Sequence, residues 1–546
     1  MPLLALANLD YAVIGAYIVL LAYMGWHFSR RQTTTSEYFL ASRSVPWFAL
    51  GLSIMATLMS SLTYLSEPGE VWMSGVTSIV GKSAAVLVEA VIVLLFIIPF
   101  LMRFRFTSAY EFLGYRFNLP TRILGVSLFC CLIVSWMGFV VLAMSWTVSQ
   151  VSGVHFAVIT GVVGLVGTLY TMVGGMRAVI WKEVLQVILM FGGCLLCLIV
   201  VSMKTTSSLP DWFAATEAHV PGGAIHWFPE DLYTRNTVIG FGFMMFIWNL
   251  CTHLGNQMVI QRYFSANDLR SAQRSFVVGA SASLIVNILL IFVGLALVYY
   301  YLVAKAAPMP VDITNTRMKD LIFPSFMVNE LPPGLGGAVL AAVISAAMST
   351  IDSGINAVAT VLSGERRRLQ GRGGEATGVD SDRKGDMLFA RLVTLGTGLM
   401  ITSAAFGLNL LVKDRNILEM MPRSFNCFLV PLGVLFFLGF FVPRVGSLGA
   451  IVGAISAWVS AISLAYTKEI YGVDRNLSFT VILPTAFVVG GVAALLVSLV
   501  QRSSVKQIAG LTWMTRHELP SIPQHLVAEW VLKNDKMTEG DRVTTG

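Results

Sequence analysis

Long apolar stretches dominate the chain, and their spacing predicts its architecture. Mostly apolar runs lie near 9–28, 46–73, 76–102, 122–150, 155–174, 178–203, 237–262, 273–303, 335–363, 387–412, 416–441, 446–467 and 477–501. At about 1.5 Å per residue, a helix of roughly 20 residues crosses a hydrocarbon core about 30 Å thick. The pattern predicts an all-α polytopic membrane protein with about thirteen transmembrane helices in residues 1–501, followed by a cytoplasmic tail at 502–546.

Three runs depart from the apolar pattern. The run 46–73 is apolar as far as Leu58, turns polar at Ser60, Ser61 and Thr63, and then carries Glu67, Pro68, Gly69 and Glu70. The run 237–262 holds Asn249, Thr252, His253, Gly255, Asn256 and Gln257 in its middle. Paired interruptions in corresponding halves point to a transporter built from inverted repeats, with its site at the bilayer midplane. Two kinked helices whose polar groups satisfy each other are the alternative.

The third departure is 341–360, where Ser345, Ser349, Thr350, Asp352, Ser353, Asn356 and Thr360 recur among apolar residues. At about 100° per residue they share an arc of roughly 160° on one helical face. An ionisable group facing lipid costs at least ~2.5 kcal/mol, so this stripe must face protein, water or an ion. Ala346, Ser349, Thr350 and Ser353 form a ladder of hydroxyl and carbonyl oxygens, the ligands that hard cations prefer. A small-residue face that only lets helices pack closely is the alternative.

Composition narrows the class. The chain is 56% hydrophobic and 12% charged, with a mean hydropathy of +0.74. That excludes an ordinary soluble protein. The net charge of +7 lies in short loops between spans and is no nucleic-acid signal. No removable signal peptide is apparent, and 9–28 is long enough to stay as a span. All six cysteines, Cys130, Cys131, Cys194, Cys197, Cys251 and Cys427, fall in apolar runs and read as buried thiols. No catalytic constellation supports an enzyme.

Arg30, Arg31 and Arg43 follow the first span, Arg103, Arg105, Arg116 and Arg122 the third, and Arg177 and Lys182 the fifth. Arg262, Arg270 and Arg274 follow the seventh, and the run Glu365 to Lys384 the ninth. The alternate loops are poorer in Lys and Arg, so the positive-inside rule places the N-terminus outside and the C-terminus inside. The loop 365–385 reads as flexible; 304–334, with Pro308, Pro310, Pro324, Pro332 and Pro333, reads as an ordered lid.

Several motifs now occur in order: SEYFLASRSVPWFALGLSIMAT, GGMRAVIWKEVLQ, NQMVIQRYFSA, AAMSTIDSGINAVAT and GFFVPRVGSLGAIVG. Together they resemble the sodium:solute symporters, a family with sodium–glucose, sodium–proline, sodium–iodide and sodium–monocarboxylate members. The resemblance runs from about Asp10 to about Val500. It implies a LeuT-type fold of five plus five inverted spans, with repeats at about 46–203 and 237–441. It also implies Na+ as the coupling ion, held by the backbone carbonyls of Ala56, Met59 and Ala346 and the hydroxyls of Ser349 and Thr350.

Some relatives use a second sodium near an aspartate at the start of the sixth span. That position is Glu183 here, with Asp352 and Ser353 aligned to the remaining ligands. A second sodium, a proton-linked carboxylate pair, or a surface pairing of Glu183 with Arg177 or Lys182 all remain open. Between the broken helices, the expected solute-binding residues are Ser60, Thr63, Tyr64, Lys82, Trp248, Asn249, Thr252, His253 and Asn426. Tyr64, Trp72 and Trp248 are candidate gates.

Lys82 stands where sugar-carrying relatives have a glutamate. A buried lysine there needs a carboxylate partner or an anionic ligand; Glu89 on the same face lies about 10 Å away along the axis, and Glu67 is a candidate. Snorkelling is the alternative. The sugar-gating tyrosine and its neighbouring tryptophan are replaced by Thr252 and His253, and the segment LSEPGE is closer to the iodide, monocarboxylate and vitamin branch. The expected function is sodium-coupled import of a small anion or monocarboxylate across the plasma (inner) membrane. A sodium/sugar symporter and a solute sensor on the same scaffold are the competing readings.

Overall fold

The computed structural model describes residues 7–30, 34–221, 223, 225–234, 236–306, 321–371, 384–411, 417–501 and 508–532. The helices are α1 (Asn8–Ser29), α2 (Trp47–Leu58), α3 (Ser61–Ser74), α4 (Thr77–Ile92), α5 (Leu119–Ser152), α6 (Phe156–Thr205) and α7 (Val238–Gly255). They continue as α8 (Gln257–Phe264), α9 (Leu269–Val298), α10 (Leu335–Leu369), α11 (Lys384–Leu411), α12 (Ile417–Phe441), α13 (Ser447–Ala465) and α14 (Phe479–Val500).

Eleven helices among the described residues are long and apolar enough to cross a membrane, or twelve if the bent pair Thr35–Arg43 and Trp47–Leu58 counts as one span. Two features separate this count from the expected thirteen. The run 46–73 is split into α2 and α3, each too short to span alone. The runs 155–174 and 178–203 are merged into the 50-residue α6. A straight helix of that length would reach about 75 Å, far beyond the bilayer core. It turns at Gly175, whose φ of 56° and ψ of −169° suit a residue without a Cβ.

α10 is the axis of the fold. In its most apolar stretch 94% of the residues are buried inside the protein. Ser349, Thr350, Asp352 and Thr360 are all 0% exposed, and the facing Ile344, Met348, Ile351, Ile355 and Val358 are buried as well. Asp10 at the start of α1 accepts from the Gly334 and Gly337 amides, both at 2.7 Å, and so caps α10. α2 packs against α9 where Gly51 meets Gly279; a Cβ on Gly279 would lie 2.9 Å from the Gly51 carbonyl oxygen. That approach sets α2, and the break that follows it, against its neighbours.

Of loop 304–334, residues 307–320, with Pro308 and Pro310, lie outside the described residues; Ile322–Asn329 is a helix with Ile322, Phe323 and Phe326 buried. Arg31 and 372–383 of loop 365–385 also lie outside them. The described tail, 508–532, is not free: Arg105 N donates to Leu526 O (2.8 Å), Ala528 N to Arg103 O (2.9 Å) and Trp513 N to Phe440 O (2.7 Å). Cys131 is exposed and Cys130 intermediate, against the expectation that all six thiols are buried; Cys194, Cys197, Cys251 and Cys427 are buried.

Candidate functional site

The two interruptions lie where the polar residues fall. At Met59 (φ −85°, ψ 98°) the chain leaves the helix, and it re-enters after Ser60. The Ser60 Oγ accepts from the Thr63 amide at 3.4 Å, capping α3. The second break is at Asn256 (φ −83°, ψ 110°), between α7 and α8. Its freed groups are re-satisfied by side chains: Tyr110 OH donates to Gly255 O (2.8 Å) and Asn256 Oδ1 accepts from Met258 N (3.0 Å). Inside a membrane such repair is what permits an unwound turn.

At the first break the oxygens converge. Ser349 Oγ donates to Ala56 O at 2.8 Å and to Ala346 O at 3.0 Å, and Thr350 Oγ1 to Ala346 O at 3.2 Å. Ala56, Ala346, Ser349 and Thr350 are 0% exposed and Met59 is 4% exposed. The α2 break and α10 therefore meet through carbonyl and hydroxyl oxygens with no carboxylate among these contacts. A donor set of uncharged oxygens suits a monovalent hard cation.

Beside this junction lies a cavity of about 250 Å³. Ser60, Thr63, Lys82, Trp248, Asn249, His253 and Asn426 line it, together with Met59 from the break. Tyr64 and Thr252 do not. The Tyr64 hydroxyl donates to Met190 O at 3.0 Å, seated against Gly193, and its ring is 0% exposed. Thr252, also 0% exposed, sits in the packed interior of α7. Trp136, stacked on Phe425 at 5.2 Å and edge-on to Trp248 at 5.9 Å, completes an aromatic wall that the sequence reading missed.

The charged residues on the cavity wall are paired. Lys82 donates to Glu67 across the start of α4. His253 is held from both sides, with Nε2 2.9 Å from Glu89 Oε1 and Nδ1 2.7 Å from Tyr263 OH. Glu70 accepts from Asn236 Nδ2 at 3.0 Å. Glu70 and Glu89 were not singled out from sequence as cavity residues. Glu67 is the partner expected for Lys82, and the turn at Gly75, which brings α3 and α4 side by side, joins the two.

Glu183, Asp352 and Ser353 split between two partners. Glu183 accepts from Arg262 Nη2 at 2.9 and 3.0 Å, from Ser353 Oγ at 2.6 Å, from Thr57 Oγ1 at 3.3 Å, and from Ser53 Oγ. Asp352 is ion-paired with Lys182 and accepts, at 3.0 Å, from Thr171 Oγ1. The surface pairing of Glu183 with Arg177 or Lys182 is thus replaced: Arg177 pairs with Glu37 at 2.9 Å, and Lys182 with Asp352. Arg262, in the motif NQMVIQRY, was passed over as a loop cation; its side chain is 1% exposed and turns inward.

A sequence profile described as the sodium:solute symporter family matches residues 38–457. The chain belongs to that family. It is 28% identical over 481 residues to the sodium/sialic acid symporter SiaT of Proteus mirabilis, covering 87% of this chain and 93% of that one. It is 29% identical over 461 residues to the sodium-dependent multivitamin transporter of Oryctolagus cuniculus, covering 83% and 69%. With the human sodium-coupled monocarboxylate transporter 1 it shares 27% identity over 471 residues, covering 82% and 73%. A solved substrate-bound, outward-open structure of a Na+-coupled sialic acid symporter superposes with a TM-score of 0.77 at 26% identity, covering 91% of this chain and 100% of that one. The fold is LeuT-like, and the family member is a sodium-coupled solute symporter, an integral membrane transporter and not an enzyme.

Proposed function

We propose that this symporter carries a small organic acid, with the solute carboxylate set on Lys82. The observation that carries the reading is that Lys82 is the only lysine or arginine among the described residues lining the cavity, which opens beside the Met59–Ser60 break. An ammonium has three donor hydrogens. Glu67 engages the Lys82 ammonium, and the other hydrogens can serve a carboxylate. Trp136, Trp248 and Phe425 offer apolar walls for the solute body. Asn426 Oδ1, buried on that wall, has no hydrogen-bond partner among the described residues and would accept from a hydroxyl or amide on the solute. Relatives named for sialic acid and for monocarboxylates support an acid.

In this reading sodium binds first, drawing the Ala56, Met59 and Ala346 carbonyls and the Ser349 and Thr350 hydroxyls around itself. It thereby fixes the α2–α3 break that also forms one cavity wall. Solute then docks on a wall already set, and by linkage each ligand tightens the other equally. The repeats 46–203 and 237–441 would rock about this point, carrying both ligands across the plasma membrane. The N-terminus lies outside and the C-terminus inside, as the loop arginines favour.

The experiment is a thermal-shift screen of the purified protein against organic acids, halides, sugars and amino acids, with and without sodium, followed by uptake into proteoliposomes. A carboxylate that stabilises only with sodium and accumulates down a sodium gradient supports the reading. Stabilisation by a sugar alone would move the assignment to the sugar branch, and binding without accumulation would mark a sensor.

A further inference from the structure

Besides the sodium junction and the cavity, the protein holds a second polar centre, at the interface of α6 and α10. Two consecutive residues of α6 face two consecutive residues of α10: Lys182 ion-pairs with Asp352, and Glu183 accepts from Ser353. Arg262 from α8 closes the group by reaching Glu183 with both contacts near 3 Å. The four charged side chains are each at most 1% exposed. Their formal charges, two positive and two negative, cancel.

This is the centre that, from the sequence, offered a second cation site. The structure gives its carboxylates no room for one. Glu183 already accepts from Arg262, Ser53, Thr57 and Ser353. Asp352 takes Thr171 on Oδ1 and the Lys182 ammonium on Oδ2. Lys182 also donates to the Tyr170 hydroxyl, which holds its head group in place. A metal ion added here would find no unengaged carboxylate and would bring an uncompensated charge into a sealed interior.

We propose that the Lys182 ammonium is the resident cation of this centre, standing where a second metal ion would otherwise sit, so that the symporter binds one sodium ion. Lys182 is thereby a determinant of ion stoichiometry: with a univalent acid as cargo, transport moves no net charge. The proposal rests on the Ala56–Ser349 junction as the sodium site, and its test separates the two.

The test counts bound sodium directly, by equilibrium binding of ²²Na+ to purified protein without solute. Wild type is expected to bind one sodium with a Hill coefficient of 1. Lys182→Met, which leaves Asp352 with an unmatched charge, is expected to bind two, and Lys182→Met combined with Asp352→Asn to return to one. A wild-type count of two, or a count that stays at one in Lys182→Met, overturns the proposal. Should Lys182→Met not accumulate as folded protein, the wild-type count and the neutral double variant decide. Ser349→Ala on the wild-type background is expected to weaken binding of the single sodium roughly 10- to 100-fold. If it does not, while the Lys182 series behaves as stated, the junction assignment fails and the role of Lys182 stands.

Discussion

Lys82 and Lys182 each meet a carboxylate among the packed helices, in opposite surroundings. Lys82 pairs with Glu67 on the wall of a cavity, with side chains 12% and 7% exposed. Lys182 pairs with Asp352 inside the α6–α10 interface, at 1% and 0%. The chemistry of the pair is the same; what differs is whether a ligand can reach it. A cavity-facing ammonium keeps donors for a guest and exchanges partners without stranding a bare charge. A walled-in ammonium has its partners fixed, and removing one leaves the other in low dielectric. In the sealed centre the charges neutralise each other and hold helices in register; on the cavity wall they can recognise a solute.

The sharpest way to break this contrast is Arg262→Gln. It leaves Glu183, 0% exposed, with only hydroxyl partners. Removing one partner of a buried pair costs about 3–5 kcal/mol. The expected outcome is a large drop in the thermal unfolding temperature of the purified protein, with Glu183→Gln on the same background recovering most of it. A single variant as stable as wild type would show that the centre is not sealed.

Ser349→Ala comes next, because the Ala56–Ser349 junction proposed for sodium is buried but carries no fixed charge. A hydrogen-bonding group facing a charge contributes about 1.5–3 kcal/mol. The variant should bind sodium roughly 10- to 100-fold more weakly by ²²Na+ titration, and unfold near wild type in sodium-free buffer. Uptake equally dependent on sodium would place the ion elsewhere.

The same contrast explains what could be read from sequence. The polar stripe of α10 was legible because helical periodicity alone puts Ser349, Thr350 and Ser353 on one face, and lipid cannot accept them. The breaks at Met59 and Asn256 were legible because polar residues interrupt otherwise apolar spans. Partner choice was legible for Lys82, where Glu67 stood out as a candidate, but not for Lys182 and Arg262. Lys182 and Arg262 sit near span ends in the sequence, where a cation reads as a membrane-surface residue; only the turn at Gly175 and the break at Asn256 carry them inward. Tyr64 and Thr252 show the converse: they fall in the interrupted segments, yet helix rotation, which a stretch of mixed polarity does not fix, turns them into packing. The span count was legible from apolar length, whereas which spans fuse or split depended on single residues.

Lys82→Gln tests the open side. It should weaken binding of an organic acid about 10-fold, the loss of one charge-assisted contact of roughly 1.5 kcal/mol. Sodium binding without solute should be unchanged, because the junction oxygens come from α2, from Met59 at its end, and from α10. Its stability should stay within about 1 kcal/mol of wild type, since Glu67 then faces the cavity instead of a dry wall. A collapse as large as that of Arg262→Gln would mean the two lysines do the same structural job.

The smallest effect calibrates both pairs against a carboxylate at the water boundary. Asp268 caps α9, its Oδ1 accepting from the Ser271 amide at 2.7 Å. That backbone hydrogen bond holds its carboxyl below the ordinary value, against partial burial, with Arg270 and Arg274 adding to the depression. A depressed carboxyl contributes stability that is fully present above the unfolded pKa, about 3.9, and is lost as the pH falls through the lower folded value. Asp268→Ala should therefore cost about 1 kcal/mol at neutral pH, as cap removal does. The gap from wild type should narrow as unfolding is followed to pH values below about 3.9. If the Asp268 variant lost as much stability as the Arg262 variant, burial would not be what separates the sealed centre from the rest of the molecule.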